Sequence, residues 1–437
     1  MSYWLFVVAG VFGVFAVFAK RLNTTIITGP MVFVSAGLLI GADGLGVIEA
    51  EPSAEAVTLL LEMTLAIVLF TDATAINSTA WRQEAFVPGR LLVVGLPLAI
   101  LLGTGVASGL FSELGVWEAA LIATILAPTD ASLGQAVISN RRVPQRIRQG
   151  LNVESGLNDG IALPLVIIFL GAAEESATGG SFGDVISFIG QEILVAAVVG
   201  LAIGWVGAKL LLVSTRRGWS SAMWTQIGAV TVAAAAYGLA VPLHGSGFIA
   251  AWVAGLTLGA ITKGEVENLS EFAETLGTTL TMTSFLIFGA VLLGPAIGDL
   301  TWTIGLFAVL SLTLIRMIPV AVAMVGSKLG GPSVLFLGWF GPRGLASIIF
   351  AGIVIEDADL PAESTIVTVV IVTVGLSVFV HGASSWFGSE SYADWYDGEE
   401  HADPDIPEAQ GRLEPRARGQ FGPRPPGRPG GKGERES

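Results

Sequence analysis

The chain has 437 residues, of which 52% are hydrophobic and 13% charged, against roughly a quarter charged in an ordinary soluble domain. So apolar a composition excludes a water-soluble fold, and the absence of cysteine excludes disulfide frameworks, thiolate catalysis and cysteine-ligated metals. A formal charge of -14 disfavours nucleic acid as a partner, since a binder needs a basic face; His244, His381 and His401 show none of the spacings of a zinc protease.

Thirteen mostly apolar stretches are long enough to cross a ~30 Å hydrocarbon core as helices. They cover residues 3–19, 25–41, 55–77, 89–111, 116–138, 150–172, 184–213, 222–241, 245–262, 271–293, 300–326, 332–354 and 361–387. This predicts an all-α polytopic protein whose partner is the lipid bilayer. The first stretch has no positive leader and is followed by Lys20-Arg21, so it reads as a retained helix rather than a cleaved signal.

Basic residues mark the cytoplasmic side of a membrane protein. Alternate loops hold Lys20, Arg21, Arg82, Arg90, Arg141, Arg142, Arg146, Arg148, Arg216, Arg217, Lys263 and Lys328, while the other set carries acids such as Asp43, Glu49, Glu51, Glu174, Glu175 and Asp299. The pattern predicts a cell-membrane protein with the N-terminus outside and the C-terminus in the cytoplasm. Trp81, Trp117 and Trp219 near span ends read as interface anchors. From Gly388 the composition turns to Asp, Glu, Pro, Gly and Arg, which predicts a disordered cytoplasmic tail over 388–437, either simply solvated or holding anionic lipid or a partner.

Ionisable groups in mid-membrane are costly, so each is a functional candidate. Here they are Asp72, Asp130, Glu154, Asp159, Arg316 and Arg343, with Glu62 and Glu192 as lesser ones. The fifth span places Pro128 beside Thr129, Asp130 and Ser132, and the twelfth places Pro342 between Gly341 and Arg343-Gly344. Proline removes a helix hydrogen bond and clashes with the preceding turn, so both helices should be interrupted.

Taking the seventh span as a linker leaves two repeats of six spans with opposite topology, the interruption falling on the fifth of each. Interrupted helices at matching positions point to a transporter's substrate site; two ordinary kinked helices carrying paired charges are the plainer alternative. Asp130 suits the positive N-terminal ends of half-helices and Arg343 the negative C-terminal ends.

The sixth span opens Asn152-Val-Glu154-Ser155-Gly156-Leu-Asn158-Asp159-Gly160. At 3.6 residues per turn, Glu154 stacks with Asn158 and Ser155 with Asp159. With Thr129 and Asp130 these oxygens could form a site for a small, hard cation. Burial favours the protonated form of a carboxylate, so one such group could hold a proton or a cation in turn.

The runs Ala-Pro128-Thr129-Asp130, Glu154-Ser155-Gly-Leu-Asn158-Asp159-Gly160 and Gly-Pro-Arg343-Gly resemble the NhaP-type sodium/proton antiporters of the monovalent cation:proton antiporter family. The resemblance covers residues 1 to about 387. It implies a thirteen-helix homodimer without cofactors, in which a moving core, approximately 89–172 and 300–387, works against a scaffold and dimer part, approximately 1–88 and 184–293. By position, Asp159 would accept proton and cation, Thr129 and Ser155 would join it as ligands of the Na+ cargo, and Asp130 would serve the helix crossing or act on the ion through water. Glu154 would be held by a buried arginine, here Arg316. Asn158, where electrogenic members often have a second Asp, implies electroneutral exchange of one Na+, or Li+, for one proton. Pro342 departs from the family pattern, which more often has a small residue there.

Other readings remain open. Asp72 could line a cytoplasmic ion funnel or be a plain helix-end acid near Arg82. Gly156, Gly160, Gly341 and Gly344 read as close-packing positions. Potassium in place of sodium is the near alternative; a cation channel and an intramembrane protease using Asp130 and Asp159 as a dyad are the more distant ones.

Overall fold

The computed structural model describes residues 2–22, 25–48, 55–75, 86–130, 132–178, 182–262, 269–357, 360–402 and 406–409. Among them every regular element is helical. Among the described residues nine helices are long and apolar enough to cross a membrane, and four shorter apolar ones complete the thirteen positions expected from the sequence.

In chain order they are α1 (Ser2–Leu22), α2 (Gly29–Ile40), α3 (Glu55–Ala75), α4 (Phe86–Leu110), the interrupted pair α5a (Val116–Ile125) and α5b (Gln135–Ser139), α6 (Gln145–Thr178), α7 (Phe182–Arg216) and α8 (Ala222–Leu243). Then come α9 (Gly247–Thr262), α10 (Glu271–Gly298), α11 (Trp302–Ala323), the second interrupted pair α12a (Gly331–Trp339) and α12b (Leu345–Asp357), and α13 (Glu363–Ala402). Helices α1–α6 and α8–α13 form the two inverted repeats, with α7 between them.

Side chains close the helix ends. Thr28 accepts from Met31 N–H at the start of α2 and Thr301 from Ile304 N–H at the start of α11. Glu118 accepts from Gly115 N–H at 2.7 Å ahead of α5a and from Ala362 N–H at 3.3 Å, tying the start of α5a to the start of α13. Two helices widen to π turns, over Leu91–Gly95 in α4 and Phe288–Leu293 in α10, each just before a proline, Pro97 or Pro295. The missing proline N–H leaves a carbonyl one turn back without its usual donor, and a local change of helical pitch is the common accommodation. In α11 the helix breaks at Thr313, three residues ahead of Arg316.

A large apolar core runs through most of the helices, including Phe33, Leu65, Phe285 and Phe350. A second, smaller core joins α5b, the start of α6, α12a and α13 through Val137, Ile147, Phe336, Phe340 and Tyr392. Large apolar side chains such as Phe6 and Val17 on α1 and Leu194, Leu201 and Leu210 on α7 stay exposed, as expected of faces solvated by lipid or covered by another copy.

The tail differs from the sequence expectation. The boundary at 388 falls inside α13, which continues to Ala402, and a short 3-10 turn follows at Pro407–Ala409. Charge and glycine content conceal an amphipathic stripe in which Tyr392, Trp395 and Tyr396 recur at helical spacing. Residues 410–437, like Trp81, Arg82, Lys263, Glu49 and Glu51, lie outside the described residues.

Candidate functional site

The two interruptions cross each other. After α5a the chain is non-helical through Pro128–Asp130, and Asp130 N–H donates to Pro342 O at 2.8 Å, joining one break directly to the other. The Asp130 carboxylate accepts Ser132 N–H through Oδ1 at 2.8 Å and Leu345 N–H through Oδ2 at 2.9 Å. Leu345 opens α12b, so the carboxylate sits at the positive end of that half-helix.

Arg343 is fully buried, and its Nη1 donates to Ala127 O at 2.9 Å and Pro128 O at 3.4 Å, the carbonyls just past the end of α5a. Each charge thus lies against the half-helix end of opposite sign. Gly344 is required by this arrangement, because a side-chain carbon there would collide with the Asp130 carboxylate.

Further polar groups hold the crossing. Ser377 on α13 accepts Arg343 N–H at 2.7 Å and is 3.1 Å from His381 Nδ1, and Ser347 donates to Ile125 O at 2.7 Å. The indole N–H of Trp339 donates to Ser384 at 3.0 Å. None of these five was singled out for the site from the sequence. Ser377 and His381, polar and four apart in an otherwise apolar span, were the available signal.

On α6 the expected stripes are present. Glu154, 2% exposed, is met by both terminal Arg316 guanidinium nitrogens, at 2.6 and 2.8 Å. Asn158, 1% exposed, donates from Nδ2 to Thr129 Oγ1 at 2.8 Å, linking α6 to the break in α5. Ser155 and Asp159 are buried one turn apart on the neighbouring stripe.

A small pocket beside the crossing is lined by Thr129, Asp130, Ser155, Ile138, Leu151 and Phe340. Asp159 lies one turn along from Ser155 and is not among the residues lining it. Asp72 on α3 is half-buried and packs against α6, where a side-chain carbon at Gly156 would meet it at 3.6 Å. The arrangement therefore gathers hydroxyl, amide and carboxylate oxygens around two broken helices, a donor set suited to a hard monovalent cation.

Comparison with known proteins agrees with this architecture. The family described as "Sodium/hydrogen exchanger, transmembrane" matches residues 6–385. The K(+)/H(+) antiporter NhaP of Alkalimonas amylolytica is 25% identical over 356 residues, 81% of this chain and 60% of the relative. The K(+)/H(+) antiporter NhaP2 of Shewanella oneidensis is 26% identical over 357 residues, 81% and 61% of the two chains. A probable Na(+)/H(+) antiporter of Schizosaccharomyces pombe is 26% identical over 296 residues, 63% and 38%. The chain thus spans about three fifths of the length of its NhaP relatives. In fold it is similar to the sodium proton antiporter MjNhaP1 from Methanocaldococcus jannaschii, with a TM-score of 0.69 at 20% identity over 89% of this chain and 99% of that one. With most of its length matched to the family, the chain belongs to the sodium/hydrogen exchangers.

Proposed function

We propose that the protein is a secondary antiporter that exchanges a monovalent cation for a proton across the cell membrane by alternating access. The observation that carries this reading is the join between α6 and the break in α5, Asn158 bonded to Thr129 at 2.8 Å, with Asp159 the next residue along α6, buried and one turn from Ser155. Asp159 holds either the proton or the cation, with Thr129 and Ser155 as further oxygen ligands. Because the carboxylate must lose one before binding the other, the two movements are coupled.

Asp130 and Arg343 maintain the crossing, and both oxygens of Asp130 already accept backbone N–H groups. Asp130 therefore acts on the ion through water and field rather than as its principal ligand. Glu154 and Arg316 are a structural bridge. Asp72 contributes negative potential on the approach to α6.

Sodium, with lithium, is the cargo in the principal reading, and exchange is electroneutral because Asn158 stands where a second titratable acid would add charge. Potassium is the second reading, favoured by the K(+)/H(+) names of the NhaP relatives. The protein is further proposed to be a homodimer, its N-terminus outside and its C-terminus cytoplasmic. The core of approximately 89–172 and 300–387 moves against the rest.

The test is purified protein in liposomes with an imposed pH gradient. Internal pH is read as sodium, lithium or potassium is added, with and without a potassium/valinomycin clamp. A cation-driven pH change indifferent to the clamp and lost in Asp159→Asn supports the reading, and the responding cation identifies the cargo. No response to any of the three would overturn it.

A further inference from the structure

Residues 388–402 and 406–409 carry more built structure than a solvated tail requires. Tyr392, 5% exposed, stacks on Phe336 of α12a with ring centroids 4.2 Å apart, and Phe336 packs on Phe340 at 4.6 Å. Phe340 lines the pocket at the crossing, and Gly388 lies so close to its ring that a side-chain carbon there would collide. Three aromatic rings therefore connect the α13 extension to the wall of the candidate ion site.

The extension is held at two places. At the outer one, Arg142 of the α5b–α6 connection meets Glu390 at 2.7 Å, Asp397 at 2.8 Å and also Asp394, acids spaced along one face of α13. The side chains involved are 41% to 70% exposed. Asn140 Nδ2 adds a bond to Glu390 at 2.9 Å.

At the inner one, Glu408 is 3% exposed and accepts Gly330 N–H at 2.7 Å and Ser333 Oγ–H at 2.6 Å, at the start of α12a. Ser333 also lies 2.8 Å from the Tyr392 hydroxyl, and Arg146 Nη1 donates to Pro407 O at 2.7 Å. The interrupted helices are thus clasped by the α13 extension and by the turn at Pro407–Ala409, at the ends that adjoin the basic loops.

We propose that Arg142 and Glu408 are positioning residues for exchange, strapping 388–402 and 406–409 across the ends of α5b and α12a so that the Tyr392–Phe336–Phe340 stack sets the pocket wall. The proposal rests on the crossing being the ion site. The anchors differ in a measurable way: exposed ion pairs weaken as salt screens them, whereas a buried carboxylate bonded to backbone is screened much less.

The experiment uses the full chain in liposomes, with exchange rate against cation concentration at ionic strengths from about 0.02 to 0.5 M set by choline chloride, a range over which the Debye length shrinks severalfold. In the wild type the apparent KM should rise roughly threefold with salt at constant kcat, the order expected of a few exposed ion pairs. Arg142→Gln should show the high-salt KM throughout, and Arg142→Lys should recover part of the salt dependence. Glu408→Gln should raise KM at every ionic strength and keep the salt dependence. A wild-type KM and salt response in Arg142→Gln would overturn the proposal. If Arg142→Gln does not fold, the triple variant Glu390→Gln/Asp394→Asn/Asp397→Asn removes the same contacts from the other side.

Hydrogen–deuterium exchange of 388–402 is the readout independent of transport. Faster exchange in Arg142→Gln at low salt supports the strap, and unchanged protection overturns it. A wild type that transports no cation counts against the functional reading, while the hydrogen-exchange result still decides the strap.

Discussion

The Glu154–Arg316 bridge gives the most quantitative handle on the site. The two side chains are 3% and 4% exposed and joined by paired bonds of 2.6 and 2.8 Å, so each charge is solvated almost wholly by the other. Replacing Glu154 with Gln, or Arg316 with Ala, leaves the remaining charge without its counter-ion in a dry environment, at a cost of about 3–5 kcal/mol. At about 2 °C per kcal/mol, the low end of the range for chains of a few hundred residues, each single variant should melt roughly 6–10 °C below the wild type. Replacing both together, Glu154→Gln with Arg316→Met, removes the stranded charge and should recover most of that loss. The assay is thermal melting of purified protein in one detergent, followed by intrinsic tryptophan fluorescence. Normal melting of both single variants would refute the bridge, and a double variant whose loss equals the sum of the singles would refute the stranded-charge explanation.

Three further outcomes follow from the same geometry. Asn158→Asp introduces a second acid beside Asp159 and removes the N–H that donates to Thr129; if charge count sets stoichiometry, liposome exchange by this variant should respond to the membrane potential clamp, and continued indifference refutes that account. Gly344→Ala drives a methyl group into the Asp130 carboxylate and should cost about 1–3 kcal/mol, seen as a lower melting temperature; wild-type melting would mean the crossing can relax around it. Hydrogen bonds to Asp397, then Asp394, raise the Arg142 guanidinium above its ordinary value. A cation shifted upward keeps its contribution at every pH below that ordinary value and loses it only above the raised one. The α13 extension should therefore resist limited proteolysis equally at about pH 7 and pH 9.5, and cleavage appearing at the higher pH would show that another group governs it.

The sequence carried the fold a long way because the bilayer imposes a simple rule: helix-length apolar runs separated by charged loops. Even the short helices α2 and α9 fell within predicted spans, and Pro128 and Pro342 marked both interruptions. What stayed hidden depended on packing rather than composition. The π turns of α4 and α10 follow from single prolines whose effect could equally have been a kink. Hydrophobicity averaged over the α13 extension is low, because Glu390, Asp394 and Asp397 alternate with Tyr392, Trp395 and Tyr396; only a face-resolved reading separates the two stripes. For the candidate site, the residue types that bring Thr129 to Asn158 and Arg316 to Glu154 were visible, whereas the contribution of Ser377, Ser347 and Trp339 depended on which helices become neighbours.

The crossing also bears on how a duplicated architecture can diverge. Two identical six-helix units related by a two-fold axis would meet residue against like residue, placing two carboxylates or two guanidiniums at the intersection. A pair of carboxylates would serve both N-terminal half-helix ends and leave both C-terminal ends uncompensated; a pair of guanidiniums would do the reverse. Asp130 in one half and Arg343 in the other serve one end of each kind, which only unlike halves can do. The division of labour makes the two repeats non-interchangeable, so an assembly of either half with its own copy would reproduce the shape of the intersection without its charge balance.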